Sequence, residues 1–541
     1  MKRALLFFAL FCIQSSNGLF AQSDIAEDFY NTDKIQQIDI SFAQNNWQYL
    51  LDSLRVNGDG LLLADVRING VKYEYCGVRF RGSKSFQPEG KRNGLYIKLN
   101  HINKEQNIDG NKSIKLSNSL RDPSMVREVL SYEIARQYMP APRANYAQIT
   151  INGSPYALLV NVEPIADEFL DRNFGSSNGA LYKAKGFDQY TNYPKTCLQN
   201  IFGSLAHETD VNCYFYNWEM KTDGGWGDLI ELTRMLNEEP GKIQNVLDVD
   251  ETLWMLAYNN VLVSLSSYSG QHSDNYYLYE DKFGKFHPII WDMNLSFGSF
   301  KNTGSGSDLK LKQLQELDPL LHVNNPAKPL ISKLLENERY KRVYLSHIRT
   351  ILYDHFVDTT YQSRAQELQR LIQSAVMNDQ SKLYTYDEFQ ASLTTTIGER
   401  SQIPGIVELM EKRASFLKKH PEIAIFPSDI TDTKVLGRVQ FSTQRIETFM
   451  VQTKVEKYPK RVYLMYRFND DQEFREAVMM DDGNHNDGEA NDNVYGITIV
   501  PQRGENELQY YIIAENATMV SYAPANYMWE QFQASLAELN K

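Results

Sequence analysis

The chain has 541 residues, 56 basic and 68 acidic, and a formal net charge of −12. Its 42% hydrophobic and 23% charged content excludes a disordered chain, and its length predicts roughly two to four domains. The acidic balance argues against a nucleic-acid partner, whose phosphates need a positive face.

Lys2 and Arg3 precede an apolar stretch at 4–13, and Leu19-Phe20-Ala21 ends on a small residue. This reads as a secretory leader over residues 1–22, too short for a membrane span. Its loss would remove two basic and no acidic side chains, leaving −14. Cys12 follows Phe11 and makes a poor lipidation site. Beyond it stand Cys76, Cys197 and Cys213. In an oxidising compartment Cys197 and Cys213 could pair, while Cys76 lies in a strand pattern as a buried thiol. No other segment is apolar enough to cross a membrane.

Residues 23–120 read as β-rich. Strands are predicted at 38–42, 64–68, 77–81, 95–99 and 113–117, with a helix over 43–54. Asn69-Gly70 and Asn152-Gly153 signal hairpin turns. A helix is predicted to begin at Asp122-Pro123, with Asp as N-cap, and to end before Pro140. Strands follow at 146–151 and 157–162. Residues 254–264 read as a buried helix, and a hairpin joins 275–279 to 286–291. Residues 308–420 carry helical patterns. After Pro427 period-2 alternation returns, with strands at 439–441, 462–468, 495–500 and 509–514. The tail from 428 to 541 is therefore expected to be an immunoglobulin-like β-sandwich.

Two constellations carry chemistry. Strand alternation puts Arg79 and Arg81 on one face, with Val78 and Phe80 on the other. Lys98 and Lys115 stand on the polar sides of the next strands, so four cations would share one sheet face. Such a face suits a phosphate-bearing ligand; solvated and neutralised by nearby acids, it would be a plain surface. The second constellation is the hairpin from Asn275 to Asp292, whose ends, 17 residues apart in sequence, return to one place. Hard oxygen donors at such a mouth can hold Mg²⁺, and they are also common turn residues.

Several short runs occur in a specific order. They are Gly77-Val78-Arg79-Phe80-Arg81-Gly82-Ser83, Arg143-Ala144-Asn145-Tyr146-Ala147 with Asn152-Gly153, Asn161-Val162-Glu163-Pro164-Ile165 and Leu181-Tyr182-Lys183-Ala184. Then come Asn275-Tyr276-Tyr277-Leu278-Tyr279, the 288–298 run containing Trp291-Asp292-Met293-Asn294, and Ile403-Pro404-Gly405-Ile406 with Arg413 and Phe416-Leu417. Together, over about residues 35–420, they resemble the spore-coat protein H (CotH) family of atypical secreted kinases.

The resemblance implies an α+β fold: a divergent two-lobed kinase-like body over 23–427, with a small lobe at about 30–165 and a larger, mostly helical one at about 166–427. It implies ATP and Mg²⁺ as cofactors and phosphorylation of protein Ser or Thr, outside the cytoplasm or at the cell surface. Lys98 would contact phosphate, flanked by Arg79 and Arg81, with Lys115 beside them. Glu128 or Glu133 would pair with Lys98. Asp292 would bind metal, with Asn275 and Asn294 as further ligands. The pattern departs from the family at two places. The segment 265–270 lacks an expected acid, with Ser266 in its place, so Asp274 is the candidate catalytic base. Asn294 stands where a second Asp is expected. A silent pseudokinase with an envelope partner is the alternative reading. Finally, Asp481, Asp482, Asp487 and Asp492 form an acidic loop without EF-hand spacing, read either as a structural Ca²⁺ site or as a hairpin turn.

Overall fold

The computed structural model describes residues 29–540 apart from Ser83, 189–190 and 440–445. The expected leader, Cys12, Ser83 of the first motif and the end of the strand expected at 439–441 lie outside the described residues. The fold is mixed α and β. The chain forms two compact units. The first holds the described residues up to Leu120, with Arg143–Phe169 and Arg370–Leu383. The second holds Arg121–Pro142, Leu170–Gln369 and the described residues from Tyr384 on.

The first unit is a closed seven-stranded barrel. Its strands are β1 (Ile35–Phe42), β2 (Leu62–Ile68), β3 (Val71–Arg81), β4 (Gly94–Lys98), β5 (Ser113–Ser117), β6 (Ala144–Ile151) and β7 (Ser154–Val162). Their order is β1-β2-β3-β4-β5-β7-β6, and β6 closes on β1 in parallel, with Ile38 beside Ile149. Alternation sends Ile38, Ile40, Val66, Val78, Phe80, Leu95, Ile97, Ile114, Leu116 and Leu159 into one core. Each such side chain contributes roughly 1.5–3 kcal/mol on burial. Both Asn-Gly pairs take positive φ, as two-residue hairpin turns require: 47° and 92° at Asn69-Gly70, 49° and 77° at Asn152-Gly153. Cys76 is buried here as a free thiol, pushed up to about 12 by burial.

Arg92 is buried in this unit. Its guanidinium donates to the Asp379 carboxylate, to the Leu158 carbonyl and, at 3.2 Å, to the Asn118 carbonyl. Asp379 in turn accepts the Leu158 N–H at 3.1 Å. Removing one partner of such a pair costs about 3–5 kcal/mol, because the other charge stays buried.

In the second unit the expected helix at Asp122 is shorter and starts later, at Arg127–Ala135. Asp122 is not its N-cap. Its carboxylate instead accepts the N–H groups of Ser124 (3.0 Å) and Arg127 (2.9 Å) and pairs with the Arg127 guanidinium at 2.7 Å. The carboxylate thus holds residues 122–126 as a turn. A four-stranded sheet runs β11-β10-β8-β9, from β8 (Leu181–Ala184), β9 (Trp218–Met220), β10 (Tyr276–Glu280) and β11 (Phe286–Ile290). Helices Val249–Val261, Glu338–Ile351 and Ile406–Lys419 belong to the same unit. Cys197 and Cys213 form a disulfide.

From Asp429 the chain is strand-rich: β12 (Asp429–Val439), β13 (Ile446–Glu456), β14 (Arg461–Arg467), β15 (Arg475–Met479), β16 (Val494–Ile499), β17 (Glu507–Glu515), β18 (Val520–Ala523) and β19 (Phe532–Ser535). One sheet is β12-β13-β16; the other is β15-β14-β17-β18, with β19 on β17. Phe449 and Val451 from the first and Leu464, Tyr510 and Ile512 from the second share one core. This region docks on Glu338–Ile351. Arg339 pairs with Glu476 and with Glu515 (2.7 Å), Arg342 reaches Glu515 at 3.1 Å, and the Val520 N–H donates to the Ser346 hydroxyl at 2.7 Å.

Candidate active site

The cationic strands lie in the first unit. Register aligns Arg79, Tyr96 and Lys115 in one row across β3, β4 and β5, on the outer face of the barrel. Arg81 and Lys98 stand on the same face, one on either side of that row, opposite Gly94 and Gly77. The face is partly neutralised. Arg79 pairs with Asp59, and its guanidinium lies 5.1 Å from the Tyr96 ring centre. Arg81 keeps Nη1 buried without a hydrogen-bond partner among the described residues. Lys98 is half-buried at the end of β4.

The oxygen-rich residues lie in the second unit, at the open end of the β10–β11 hairpin. The Trp291 N–H donates to the Asn275 carbonyl at 3.0 Å, so Asn275 and Asp292 are neighbours, as the hairpin requires. Asn275 Nδ2 donates to the Ser266 carbonyl (3.0 Å) and hydroxyl (2.9 Å). Asn294 Nδ2 donates to Asp292 Oδ1 at 2.8 Å. Ser266, Asn275, Asp292 and Asn294 are half-buried, while Leu265, Ser267, Tyr276, Trp291 and Met293 around them are buried. Four polar residues are thus partly exposed in an otherwise buried frame.

The backbone here is held in unusual conformations. Val263 (φ 51°), Ser273 (44°), Asn275 (58°), Asp292 (57°) and Phe297 (51°) all take positive φ. For a β-branched Val this is costly, and such strain collects at functional sites. Phe297 N–H to the Leu262 carbonyl (3.0 Å) and Gly298 N–H to the Val263 carbonyl (3.1 Å) lace the two segments together.

Glu128 is buried on Arg127–Ala135, beside Tyr132. Burial first, then the Glu128 and Asp292 carboxylates, hold the Tyr132 phenol well above its ordinary pKa. Glu133, the alternative partner for Lys98, is taken by Arg364 at 2.7 Å. Asp274 is only 8% exposed. A Cβ added at Gly186 would lie 2.0 Å from Asp274 Oδ2, so the carboxylate sits hard against that glycine.

Sequence reasoning missed Lys328. This lysine is buried, and its ammonium donates to the Tyr268 carbonyl at 3.1 Å, to the Gly270 carbonyl and to the Ser273 hydroxyl. It ties down the loop that carries Asp274 and Asn275. Burial lowers its pKa to about 8, against the opposing pull of Asp274. The only signal was a Lys-Pro pair opening the helix Pro329–Leu335, which no motif distinguishes.

The acidic loop at 481–492 uses its carboxylates on its own backbone. Asp487, fully buried, accepts the N–H groups of Asp482, Gly483 (2.8 Å) and His485 (2.9 Å). Asp481 accepts from Asp492 and Asn493, Asp482 from Asn484, and Asp492 from Glu489 and Val494.

The family model described as CotH kinase protein matches residues 78–417, and the chain belongs to that family. No curated protein matches it. Among solved structures, the twitchin kinase region from C. elegans (Fn31-NL-kin-CRD-Ig26) is 10% identical over 86% of this chain and 70% of that one, at a TM-score of 0.15. Among the described residues no helix is long and apolar enough to cross a membrane.

Proposed function

We propose that this kinase-like protein is an exported, Mg²⁺-dependent kinase that transfers the ATP γ-phosphate to protein Ser or Thr. The observation that carries the reading is the half-buried set Ser266, Asn275, Asp292 and Asn294, hard oxygen donors in a strained, closed frame. Such donors fit Mg²⁺, which keeps several waters and takes few protein ligands. Asp292 supplies the charge, and Asn275 and Asn294 supply neutral oxygens. By the family resemblance, Lys98, Arg81 and Arg79 on the barrel face are the phosphate contacts, with Arg79 also paired to Asp59. Bound Mg²⁺ would neutralise charge on the transferring phosphate. Lys328 holds the Tyr268 and Gly270 carbonyls and the Ser273 hydroxyl, and so positions Asp274 and Asn275. The Cys197–Cys213 disulfide supports export to an oxidising compartment. In this reading the strand-rich tail is an immunoglobulin-like sandwich that engages a protein substrate or envelope partner.

A second reading, a silent pseudokinase, is favoured by one observation: Asp274, the candidate base, is enclosed against Gly186. The test is calorimetric ATP binding with and without Mg²⁺, followed by transfer of labelled γ-phosphate to protein. Binding with transfer supports the kinase, and binding without transfer the pseudokinase. Failure to bind at millimolar MgATP removes both.

A further inference from the structure

At the turn end of the same hairpin, three side chains converge. Asp248 caps the helix Val249–Val261, Glu251 lies in its first turn, and His287 stands on β11. One donor atom from each lies within 4.8 Å of the other two. Glu251 Oε2 contacts His287 Nδ1, and Asp248 Oδ2 lies 4.0 Å from that nitrogen. The backbone fixes this arrangement, because the Asp248 N–H donates to the Phe286 carbonyl at 3.0 Å and the Phe286 N–H to the Val246 carbonyl at 2.9 Å.

Two further observations point to a ligand. Glu251 is 2% exposed, and its Oε1 is buried without a hydrogen-bond partner among the described residues. Such an oxygen normally finds a partner. Independently, Asp281 Oδ2 lies 3.2 Å from His287 Nε2. Asp281 is itself locked by the N–H groups of Phe283 and Lys285, both at 2.9 Å. A carboxylate behind a histidine fixes the proton on the rear nitrogen and leaves the front one for a metal. Three carboxylates thus meet one imidazole, an excess of negative charge that a cation relieves. Solvent reaches the cluster past Asp248, whose side chain is 34% exposed.

We propose that Asp248, Glu251 and His287 Nδ1 bind one divalent transition-metal ion, with Asp281 as the positioning residue behind His287. One nitrogen and two carboxylates, with water completing the shell, suit zinc-type ions. Binding releases the Nδ1 proton to solvent if the imidazole carries it. The ion pins the start of the helix Val249–Val261 to the hairpin that presents Asn275 and Asp292. The site stands independently of the kinase reading.

The experiment uses the full chain, stripped with chelator and titrated with Zn²⁺, and separately with Mn²⁺, in a calorimeter and in thermal melts. The expected result is one high-affinity Zn²⁺ per chain and a thermal midpoint raised by a few degrees. Asp248→Asn keeps the capping oxygen on the Glu251 N–H but loses a ligand, so the variant should fold and bind at least about tenfold more weakly, the low end for disturbing a metal's surroundings. His287→Gln should abolish binding. No Zn²⁺ binding by the wild type, or equal binding by Asp248→Asn, would overturn the site and leave an imidazolium–carboxylate cluster only.

Discussion

The Asn275 side chain is held by Ser266, through both the Ser266 carbonyl and its hydroxyl, at 3.0 and 2.9 Å. By the sequence resemblance, Ser266 stands where an acid is expected. The position is therefore occupied by a residue that orients a metal-ligand candidate without contributing charge. Ser266→Asp restores the charge and keeps an acceptor for the Asn275 amide. Mg²⁺-dependent ATP affinity should rise at least about tenfold, since ligand charge count tunes the binding of hard cations. Unchanged affinity in calorimetry would separate Ser266 from the metal.

Asp292→Ala should abolish Mg²⁺-dependent nucleotide binding while leaving the melt at or above the wild-type midpoint. On the proposed reading this half-buried carboxylate, which accepts from the Asn294 amide, serves binding and adds little to stability. A large loss of stability would mark Asp292 as structural.

Lys98→Ala should weaken ATP binding roughly tenfold or more, with or without Mg²⁺, the worth of one charge-assisted contact. Arg79→Ala should do less, because Asp59 already takes part of its guanidinium. Equal losses in the two variants would contradict the part given to Asp59.

Lys328 gives a pH signature. Its pKa falls from 10.5 to about 8 on folding, so between those values the unfolded chain binds more protons. The wild type should gain stability over Lys328→Met as pH rises from about 8 to 10.5, and the difference should be flat below pH 8. At pH 7 the variant should still lose about 1–3 kcal/mol, because the Tyr268 and Gly270 carbonyls lose their donor. Urea melts across this range test both statements.

Much of this architecture was legible where local patterns rule. The Asn-Gly turns, the inward rows of β3 and β4, and the hairpin joining Asn275 to Asp292 follow from alternation and turn chemistry. The rest depends on partners distant in sequence. Closure of the barrel rests on the parallel pairing of β1 with β6, which no local pattern announces. Asp122 looked like a helix cap because Asp-Pro is a common start; the buried Arg127 guanidinium drew its carboxylate elsewhere. Lys328 and the histidine–carboxylate cluster were missed for the same reason: their members meet only in space. The acidic loop at 481–492 read either as a cation site or as a turn, because alternating carboxylates serve backbone amides and ions equally well.

The Arg92–Asp379 pair bears on how the chain is made. Asp379 follows Arg92 by 287 residues. At about 5–20 residues per second, a ribosome delivers it roughly 15–60 s after Arg92 has been synthesised. Once β7 has been synthesised the barrel strands are all present, yet the guanidinium to be buried against the Asn118 and Leu158 carbonyls has no counter-charge until Asp379 follows. A barrel released early, by truncation before residue 379, would carry a buried cation and an unanswered Leu158 N–H. Completion of the N-terminal unit is thereby deferred until most of the chain has been synthesised, and a nascent fragment ending short of that aspartate should be a substrate for proteolysis.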